Sequence, residues 1–292
     1  MSRESEELIY FGNLAACCFC LVGSLFIILV FCLCRSLREF NYRLVFFMSI
    51  SDLITAIAFT LPTYKHDSEF MCYLQAILTN FSALSSVLWT WVIGYVLYRN
   101  YIKEVSSEKK EIWFILLCYG VPIVFTFLPF TTDSYGRSEG WCWISIGDQE
   151  INYNFDENEK EFHFGNLWRL VCYYIPLWIV IVYNSVVYYK LVKSIKEELR
   201  SVTDQIDSSG VLKKLMLYPL ILILCQTPVT IYRVLAFFIT NKEITLLAII
   251  SGILAIMNGF FNAIIYGFTP GVRSAIKLRC CPPQEELSYS TF

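Results

Sequence analysis

Near its start the chain carries 27 consecutive residues without a charge, at positions 8–34. Six more charge-poor stretches follow, at positions 44–64, 71–98, 112–130, 164–189, 215–240 and 244–268. A helix needs roughly 20 mostly apolar residues to cross the hydrocarbon core of a bilayer. The pattern therefore predicts an all-α membrane protein, a seven-transmembrane helix bundle. Within 292 residues it leaves no room for a second globular domain.

Composition and charge placement support this interpretation. The chain is 56% hydrophobic and 16% charged, whereas a soluble domain carries about 25% charged residues. Of its 23 basic residues, 16 fall in segments on one side of the predicted bundle and five on the other. Because lysine and arginine concentrate in cytosolic loops, the N-terminus is predicted to lie outside and the C-terminus in the cytosol. The expected location is the plasma membrane, as a multi-pass protein.

The predicted organisation has four parts. Residues 1–8 form a short extracellular N-terminus, and residues 9–268 form the seven-helix domain. A Thr-Pro-Gly break then starts a short amphipathic eighth helix at residues 269–281, which should lie in the inner interface. Residues 282–292 form a cytosolic tail. Cys280 and Cys281 end the amphipathic segment and are candidates for palmitoylation, although two unmodified thiols beside lipid fit equally well.

The placement of cysteines predicts one disulfide. Of twelve cysteines, only Cys72 and Cys142 fall on the oxidising side of the predicted bundle. Cys72 opens the third span and Cys142 lies in the longest outer loop. We expect a bond between them, with two unrelated free thiols as the alternative.

Charged residues inside a bilayer cost roughly 2.5–3.5 kcal/mol each on insertion scales, so each one is a functional candidate. Asp52 in the second span and Asn262 in the seventh share a depth and are expected to face each other, together with Asn258. Such a group can switch between two hydrogen-bond patterns when helices move. It can equally act as a static polar clamp between helices. The sequence leaves both roles open.

Two arginines occupy similar depths below the outer surface. Arg169 in the fifth span and Arg233 in the sixth are predicted to open outward and bind an anion, because guanidinium pairs with phosphate or carboxylate through two parallel hydrogen bonds. The alternative is that both extend to the interface or pair with the acidic outer loop. Trp141 and Trp143 flank Cys142, so they are expected over the mouth of the bundle as ligand contacts.

Several local motifs recur together in one receptor family. They are FNYRLVF at positions 40–46 leading to SDL at 51–53, WCW at 141–143, YPLI at 218–221, and NAIIYGF at 262–268 followed by Val272-Arg273. With seven spans and an outer N-terminus, the chain resembles the cyclic-AMP receptor-like family of G-protein-coupled receptors. That family includes the slime-mould cyclic-AMP receptors and their plant relatives.

The resemblance implies a receptor for an extracellular small ligand, with an anionic, cyclic-AMP-like compound as one candidate. It implies that Asp52 and Asn262 belong to a transmission core. Asn262 and Tyr266 keep the spacing of the helix-seven motif of rhodopsin-like receptors, without its proline. Arg99 stands where receptors place a basic residue that faces a heterotrimeric G protein. The predicted G-protein-facing surface comprises Arg99, Lys103, Lys190, Lys193, Lys213 and Lys214.

Other classes of protein fit less well. A small-solute transporter is the main alternative, and a broken or repeated helix would favour it. A retinal protein needs a lysine in the seventh span, and positions 244–268 contain none. No sequence signature of a membrane enzyme or a metal site is present, so no enzyme activity, metal or cofactor is expected. Besides the ligand and the G protein, the lipid bilayer is the only partner expected, with no nucleic acid.

Overall fold

The computed structural model describes residues 3–63, 68–138, 141–145, 164–201, 217–238 and 245–280. These ranges are nearly all helical. The α-helices are α1 (Arg3–Leu33), α2 (Phe40–Thr60), α3 (Glu69–Leu97), α4 (Glu111–Ile115), α5 (Val121–Phe127), α6 (Phe164–Arg169), α7 (Ile175–Ser201), α8 (Leu217–Phe238), α9 (Thr245–Ile256), α10 (Asn258–Phe268) and α11 (Pro270–Cys280). Two short strands, β1 (Tyr135–Ser138) and β2 (Trp141–Ile144), pair as an antiparallel hairpin.

Short turns of tighter or wider helix join several of these elements into longer rods. A π-helical turn, Tyr98–Ile102, extends α3; a second, Leu116–Gly120, joins α4 to α5; and a third, Leu170–Tyr174, joins α6 to α7. Single 3-10 turns cover Arg35–Leu37, Glu108–Lys110 and Leu128–Thr132.

Among the described residues, five rods are long and apolar enough to cross a membrane. They are Glu7–Leu33, Phe40–Thr60, Glu69–Ile102, Glu108–Thr132 and Phe164–Ser194. Helices α9 and α10 form a sixth if they are counted as one span, bent by 42° at Met257. Helix α8 contributes a shorter apolar stretch, Leu220–Tyr232, and holds Pro228 inside it. The prediction of a helical multi-pass membrane protein is therefore confirmed, while the count of seven remains a prediction.

Helix α3 is the centre of the bundle. It packs against α2, α5, α7, α8 and both strands of the hairpin. The apolar window of the rod that contains α3 is 67% buried, against 28% for the rod that contains α4 and α5. Ser68 caps the N-terminus of the helix, because its side chain accepts a hydrogen bond from the backbone N–H of Met71. Residues on α3 can therefore contact most of the other helices.

Two glycines allow α10 to approach α1 and α2 closely. A Cβ atom at Gly259 would lie 2.7 Å from the Cys20 sulfur and 2.9 Å from the Asp52 Cβ. A Cβ atom at Gly23 would lie 2.9 Å from the Phe260 Cα. Membrane helices commonly use small residues to bring backbones together in this way. The consequence here is that Asp52 lies directly against α10.

Helix α11 (Pro270–Cys280) lies within the segment predicted as an amphipathic eighth helix, residues 269–281. Val272 and Ala275 are buried in a hydrophobic core that also includes Leu37 from the turn after α1. On another side of the same helix Leu278 is 59% exposed. Gly271 lets the helix start against the Tyr42 hydroxyl. The association of α11 with the inner interface remains a prediction, and Cys281 lies outside the described residues, as does the side chain of Cys280.

Candidate functional site

The hairpin β1–β2 covers one end of the bundle and is tied to α3 by the predicted disulfide. Cys72 and Cys142 are bonded, with their Cα atoms 5.2 Å apart. The backbone N–H of Cys142 also donates to Gln75 Oε1 at 2.7 Å, and the Trp143 indole donates to Asn80 Oδ1 at 3.2 Å. The disulfide prediction is confirmed, and the disulfide and these bonds fix the hairpin over α3.

Contacts from α5 and α6 hold the other side of the hairpin. The Tyr135 hydroxyl donates to the carbonyl oxygen of Thr126 at 2.8 Å. Burial raises the pKa of the Tyr135 phenol above its ordinary value, so the group stays a neutral donor. Arg169 donates from Nε to the carbonyl of Ile144 at 2.7 Å and from Nη2 to Ser138 Oγ at 2.6 Å.

Arg169 therefore bonds to the hairpin, an arrangement close to the alternative in which it pairs with the loop that follows the fourth span. Its side chain is only 4% exposed, and its guanidinium lies 5.2 Å from the centre of the Trp143 ring. A two-stranded hairpin is only marginally stable in isolation. The hydrogen bonds from Arg169 to the hairpin therefore help to hold it in place. A role in ligand binding for Arg169 remains a prediction. The side chain of Arg233, its proposed partner, lies outside the described residues.

Beneath the hairpin lies a cavity that extends into the bundle. It has room for about 130 Å³ of solvent, enough for a small ligand or several water molecules. Trp141 and Trp143 of the hairpin line the cavity, as do Asp52 of α2 and Asn258 of α10. One continuous space therefore joins the hairpin to the predicted transmission core. Ligand contact by the two tryptophans remains a prediction.

The predicted transmission core is centred on Asp52, which is only 4% exposed. The Ser86 hydroxyl donates to Asp52 Oδ1 at 2.7 Å, and the Asn262 amide donates to Oδ2 at 3.2 Å. One carboxyl group thus joins α2, α3 and α10. The predicted contact between Asp52 and Asn262 is present, whereas its role in signalling remains a prediction.

Sequence reasoning missed the partners of α2 on α3. Ser51 pairs with Ser85 at 2.8 Å and Thr55 pairs with Ser82 at 2.7 Å, next to the bond between Asp52 and Ser86. The signal was present, because positions 82, 85 and 86 follow helical spacing, as do positions 51, 52 and 55. Two polar faces of matching spacing on consecutive spans indicate a helix–helix contact.

The two other members of the predicted core occupy neighbouring positions. Asn258 lines the cavity, and its Oδ1 atom has no hydrogen-bond partner among the described residues. Tyr266 is 1% exposed, and its ring packs edge-on against the Tyr42 ring at 6.0 Å between centres. The Tyr266 hydroxyl is likewise unpaired within the described ranges. Neither residue forms a hydrogen bond to Asp52.

Several residues predicted to face a G protein gather at the opposite end of the bundle. The Arg99 guanidinium lies 6.0 Å from the Tyr95 ring, and the Lys190 ammonium lies 5.3 Å from the Tyr98 ring. Lys103 and Lys193 are exposed. Lys213 and Lys214 lie outside the described residues. The structure therefore places four of the six predicted basic residues, and their role remains a prediction.

Sequence reasoning also missed an ion cluster at this end. Arg43 forms a bidentate pair with Glu111, with Nε to Oε1 and Nη2 to Oε2 both at 2.8 Å. Its Nη2 atom also contacts Glu108 at 3.1 Å, and its Nη1 atom donates to the carbonyl of Arg38. Parallel hydrogen bonds of this kind combine strength with fixed geometry. They join the N-terminal end of α2 to the start of α4.

Reversing one charge of this pair should destabilise the protein, and exchanging both should restore much of the loss. Arg43→Glu is expected to cost about 1 kcal/mol, because an ion pair at the edge of the protein contributes about that much at most. In a protein of this size that lowers the melting temperature by about 2–4 °C. The double variant Arg43→Glu/Glu111→Arg should recover at least half of the shift in detergent melting curves.

The exposed lysine Lys109 on the same connection supplies the control for that exchange, as Lys109→Glu. If the double variant melts no higher than Arg43→Glu alone, the pair does not contribute to stability.

The fold and the site together define a class: a helical multi-pass membrane protein with a hairpin, tied to α3 by a disulfide, that covers a cavity leading to a buried polar cluster. Comparison with known proteins identifies the family. The sequence profile of the slime mold cyclic AMP receptor matches residues 2–272, so the chain belongs to that family of receptors. It is accordingly a multi-pass plasma-membrane protein of the G-protein-coupled receptor type.

Individual relatives agree. The chain is similar to "G-protein coupled receptor 1" of Arabidopsis thaliana, with 32% identity over 289 residues that cover 96% of this chain and 83% of the relative. It is 28% identical over 267 residues to "Cyclic AMP receptor-like protein A" of Dictyostelium discoideum, covering 91% of this chain and 64% of the relative. It is 27% identical over 290 residues to "G-protein coupled receptor 157" of Mus musculus, covering 93% and 86%.

Proposed function

We propose that this chain is a seven-helix cell-surface receptor that binds a small extracellular ligand and activates a heterotrimeric G protein. Helix α8 supplies the sixth span, and α9 with α10 forms the bent seventh span. The N-terminus, residues 1–8, faces outside, and the bundle covers residues 9–268. The amphipathic segment 269–281 lies in the inner interface, where Cys280 and Cys281 are candidate palmitoylation sites, and residues 282–292 form a cytosolic tail.

One observation carries this proposal: the cavity connects the outer hairpin to the hydrogen bonds around Asp52. A ligand beneath Trp141 and Trp143 would bind one arrangement of the surrounding helices more tightly than the other. By linkage it would shift the population toward that arrangement. Movement of α10 relative to α2 and α3 would exchange the partners of Asp52, and Pro228 interrupts the backbone hydrogen bonds of α8 so that this helix can bend.

Cyclic AMP is a candidate ligand because the names of Dictyostelium relatives refer to it. The predicted site for its phosphate combines Arg169 with Arg233. Labelled cyclic AMP should then bind saturably to membranes that contain the chain, and binding should fall at least tenfold in Arg233→Ala. Saturable binding that is unchanged in this variant would contradict the arginine site, and absent binding at normal surface expression would remove cyclic AMP as the ligand.

Coupling to a G protein is tested directly by nucleotide exchange. The purified chain in lipid vesicles should accelerate uptake of labelled GTPγS by at least one of a panel of purified heterotrimers. Charge reversal at exposed inner positions, Lys103→Glu/Lys193→Glu, should reduce the acceleration several-fold, because the basic surface would meet the G protein. Lys160→Glu, in the sequence between β2 and α6, is the matched control and should leave exchange unchanged.

Failure of every heterotrimer to respond to folded protein would contradict the receptor proposal. If the chain is instead a small-solute transporter, the same vesicles should accumulate a small solute without any G protein and should not accelerate nucleotide exchange.

A further inference from the structure

Two side-chain hydrogen bonds connect α8 to the rod that contains α6 and α7. The Tyr173 hydroxyl donates to Gln226 Oε1 at 3.2 Å, and the Trp178 indole donates to Thr230 Oγ1 at 3.4 Å. The two bonds differ in their position along α8, because Gln226 precedes Pro228 and Thr230 follows it. One bond therefore holds the part of α8 before the proline, and the other holds the part after it.

The backbone of α8 is interrupted close to Gln226. Pro228 has no N–H group, so the carbonyl oxygen of Leu224 lacks its usual helical donor, and helices bend most sharply at such positions. Gln226 lies within this interrupted turn. If residues 217–227 swing about Pro228, Gln226 moves away from Tyr173. The hydrogen bond between them opposes this bending.

The partner of Gln226 also lies where a helix departs from the regular α form. Tyr173 belongs to the π-helical turn Leu170–Tyr174, in which backbone hydrogen bonds join residues five positions apart. Single π-helical turns inside longer helices occur frequently at functional sites. Trp178, by contrast, lies within α7 itself. The bond between Tyr173 and Gln226 therefore joins two irregular turns, whereas the second bond does not.

The two bonds also differ in their relation to the cavity. Tyr173 and Gln226 are buried and both line it, whereas Trp178 and Thr230 are not among its described lining residues. Breaking a buried hydrogen bond is costly when neither group finds a new partner. Beside a cavity, a ligand group or a water molecule can supply that partner. The bond between Tyr173 and Gln226 can therefore open at a lower cost than the other.

We infer that the hydrogen bond between Tyr173 and Gln226 is a latch that holds α8 in its resting conformation. The inference rests on the proposed function, in which α8 bends when the receptor is activated. Because both latch residues line the cavity, an occupant of the cavity can compete with Tyr173 for Gln226. The bond between Trp178 and Thr230 remains in place when the latch opens, because it lies beyond Pro228.

Removing either end of the latch should open it without any ligand. Tyr173→Phe keeps the ring and removes the donor, and Gln226→Met keeps the side-chain length and removes the acceptor. Hydrogen–deuterium exchange of the chain in lipid nanodiscs, followed by mass spectrometry, measures the opening. Deuterium uptake at residues 217–227 should be at least about threefold faster in either variant than in the unaltered chain. Either variant suffices if the other does not fold.

Two controls separate opening of the latch from general loosening of the bundle. Thr230→Val removes the bond from Trp178 beyond Pro228 and should leave uptake at residues 217–227 unchanged. Peptides from α2 should take up deuterium equally in all variants. The double variant Tyr173→Phe/Gln226→Met should exchange no faster than the faster single variant, because the two residues share one bond.

Nucleotide exchange distinguishes a latch from a bond that only stabilises the fold. Without ligand, Tyr173→Phe in vesicles should accelerate GTPγS uptake at least about threefold more than the unaltered chain, because the balance shifts toward the bent conformation. Thr230→Val should match the unaltered chain. A merely stabilising bond predicts the opposite, since its loss would reduce the amount of active protein.

Three results would overturn the inference. They are unchanged deuterium uptake at residues 217–227 in folded single variants, effects that add fully in the double variant, and faster uptake accompanied by reduced nucleotide exchange. Deuterium uptake does not involve a G protein. Faster uptake in a chain that activates no heterotrimer would contradict the receptor proposal alone, and unchanged uptake in a chain that couples normally would contradict the latch alone.

Discussion

Replacing Cys72 by serine is expected to reduce the amount of folded protein at the cell surface by at least tenfold. The disulfide closes a loop between residues 70 positions apart, and removing such a bond typically costs about 2–5 kcal/mol. Four-residue strands contribute little stability of their own, so the hairpin depends on its anchors. Loss of the hairpin also uncovers the aromatic end of the cavity. Surface labelling of intact cells and melting of the detergent-solubilised protein measure both effects.

The controls separate loss of the bond from loss of a thiol. Cys18 is an exposed free cysteine on α1, and Cys18→Ser should behave as the unaltered protein. The double variant Cys72→Ser/Cys142→Ser should resemble either single variant, because the two residues share one bond. Normal surface levels and an unchanged melting temperature in all of these variants would show that Gln75, Tyr135 and Arg169 hold the hairpin unaided.

The positions of the membrane-spanning rods along the chain could be predicted because each rod is an uncharged stretch of the sequence. The cost of burying charge in lipid produces uncharged stretches, and these predicted the rods that contain α1, α2, α3, α5 and α7. The pairing of Cys72 with Cys142 followed from which side of the membrane each occupies. The contact between Asp52 and Asn262 followed from equal depth, since helix rise converts position into depth.

The hairpin and the orientation of Arg169 were not predictable in the same way. Trp141, Cys142 and Trp143 form a short apolar run without alternation, and so short a run does not distinguish a strand from a loop. Whether Arg169 bonds to an outer ligand or to the backbone of Ile144 depends on where that backbone lies, and tertiary packing decides this. The pair between Arg43 and Glu111 likewise joins residues 68 positions apart whose proximity arises from helix packing.

The second large effect is expected at Asp52, where a substitution distinguishes a switch from a clamp. Asn262 can turn its amide to bond with an asparagine at position 52, so Asp52→Asn keeps nearly the same contacts and removes the charge. As a switch, the variant should reach the surface at levels within about twofold of the unaltered chain. It should accelerate GTPγS uptake at least tenfold less, which corresponds to a change of about 1.4 kcal/mol in the balance between two states.

A neighbouring polar pair provides the control that distinguishes a switch from a clamp. Ser51 bonds to Ser85 on the same faces of α2 and α3 but forms no bond to Asp52, so Ser51→Ala removes one interhelical bond outside the core. Interhelical bonds of this kind contribute about 0.6–1.7 kcal/mol to stability, and Ser51→Ala should lower the melting temperature slightly while exchange stays normal. If Asp52→Asn exchanges nucleotide normally, and only Asp52→Ala loses stability and exchange together, Asp52 is a static clamp. If Asp52→Asn loses exchange at an unchanged melting temperature, signalling depends on the charge of Asp52, because the geometry and the stability are both retained in that variant.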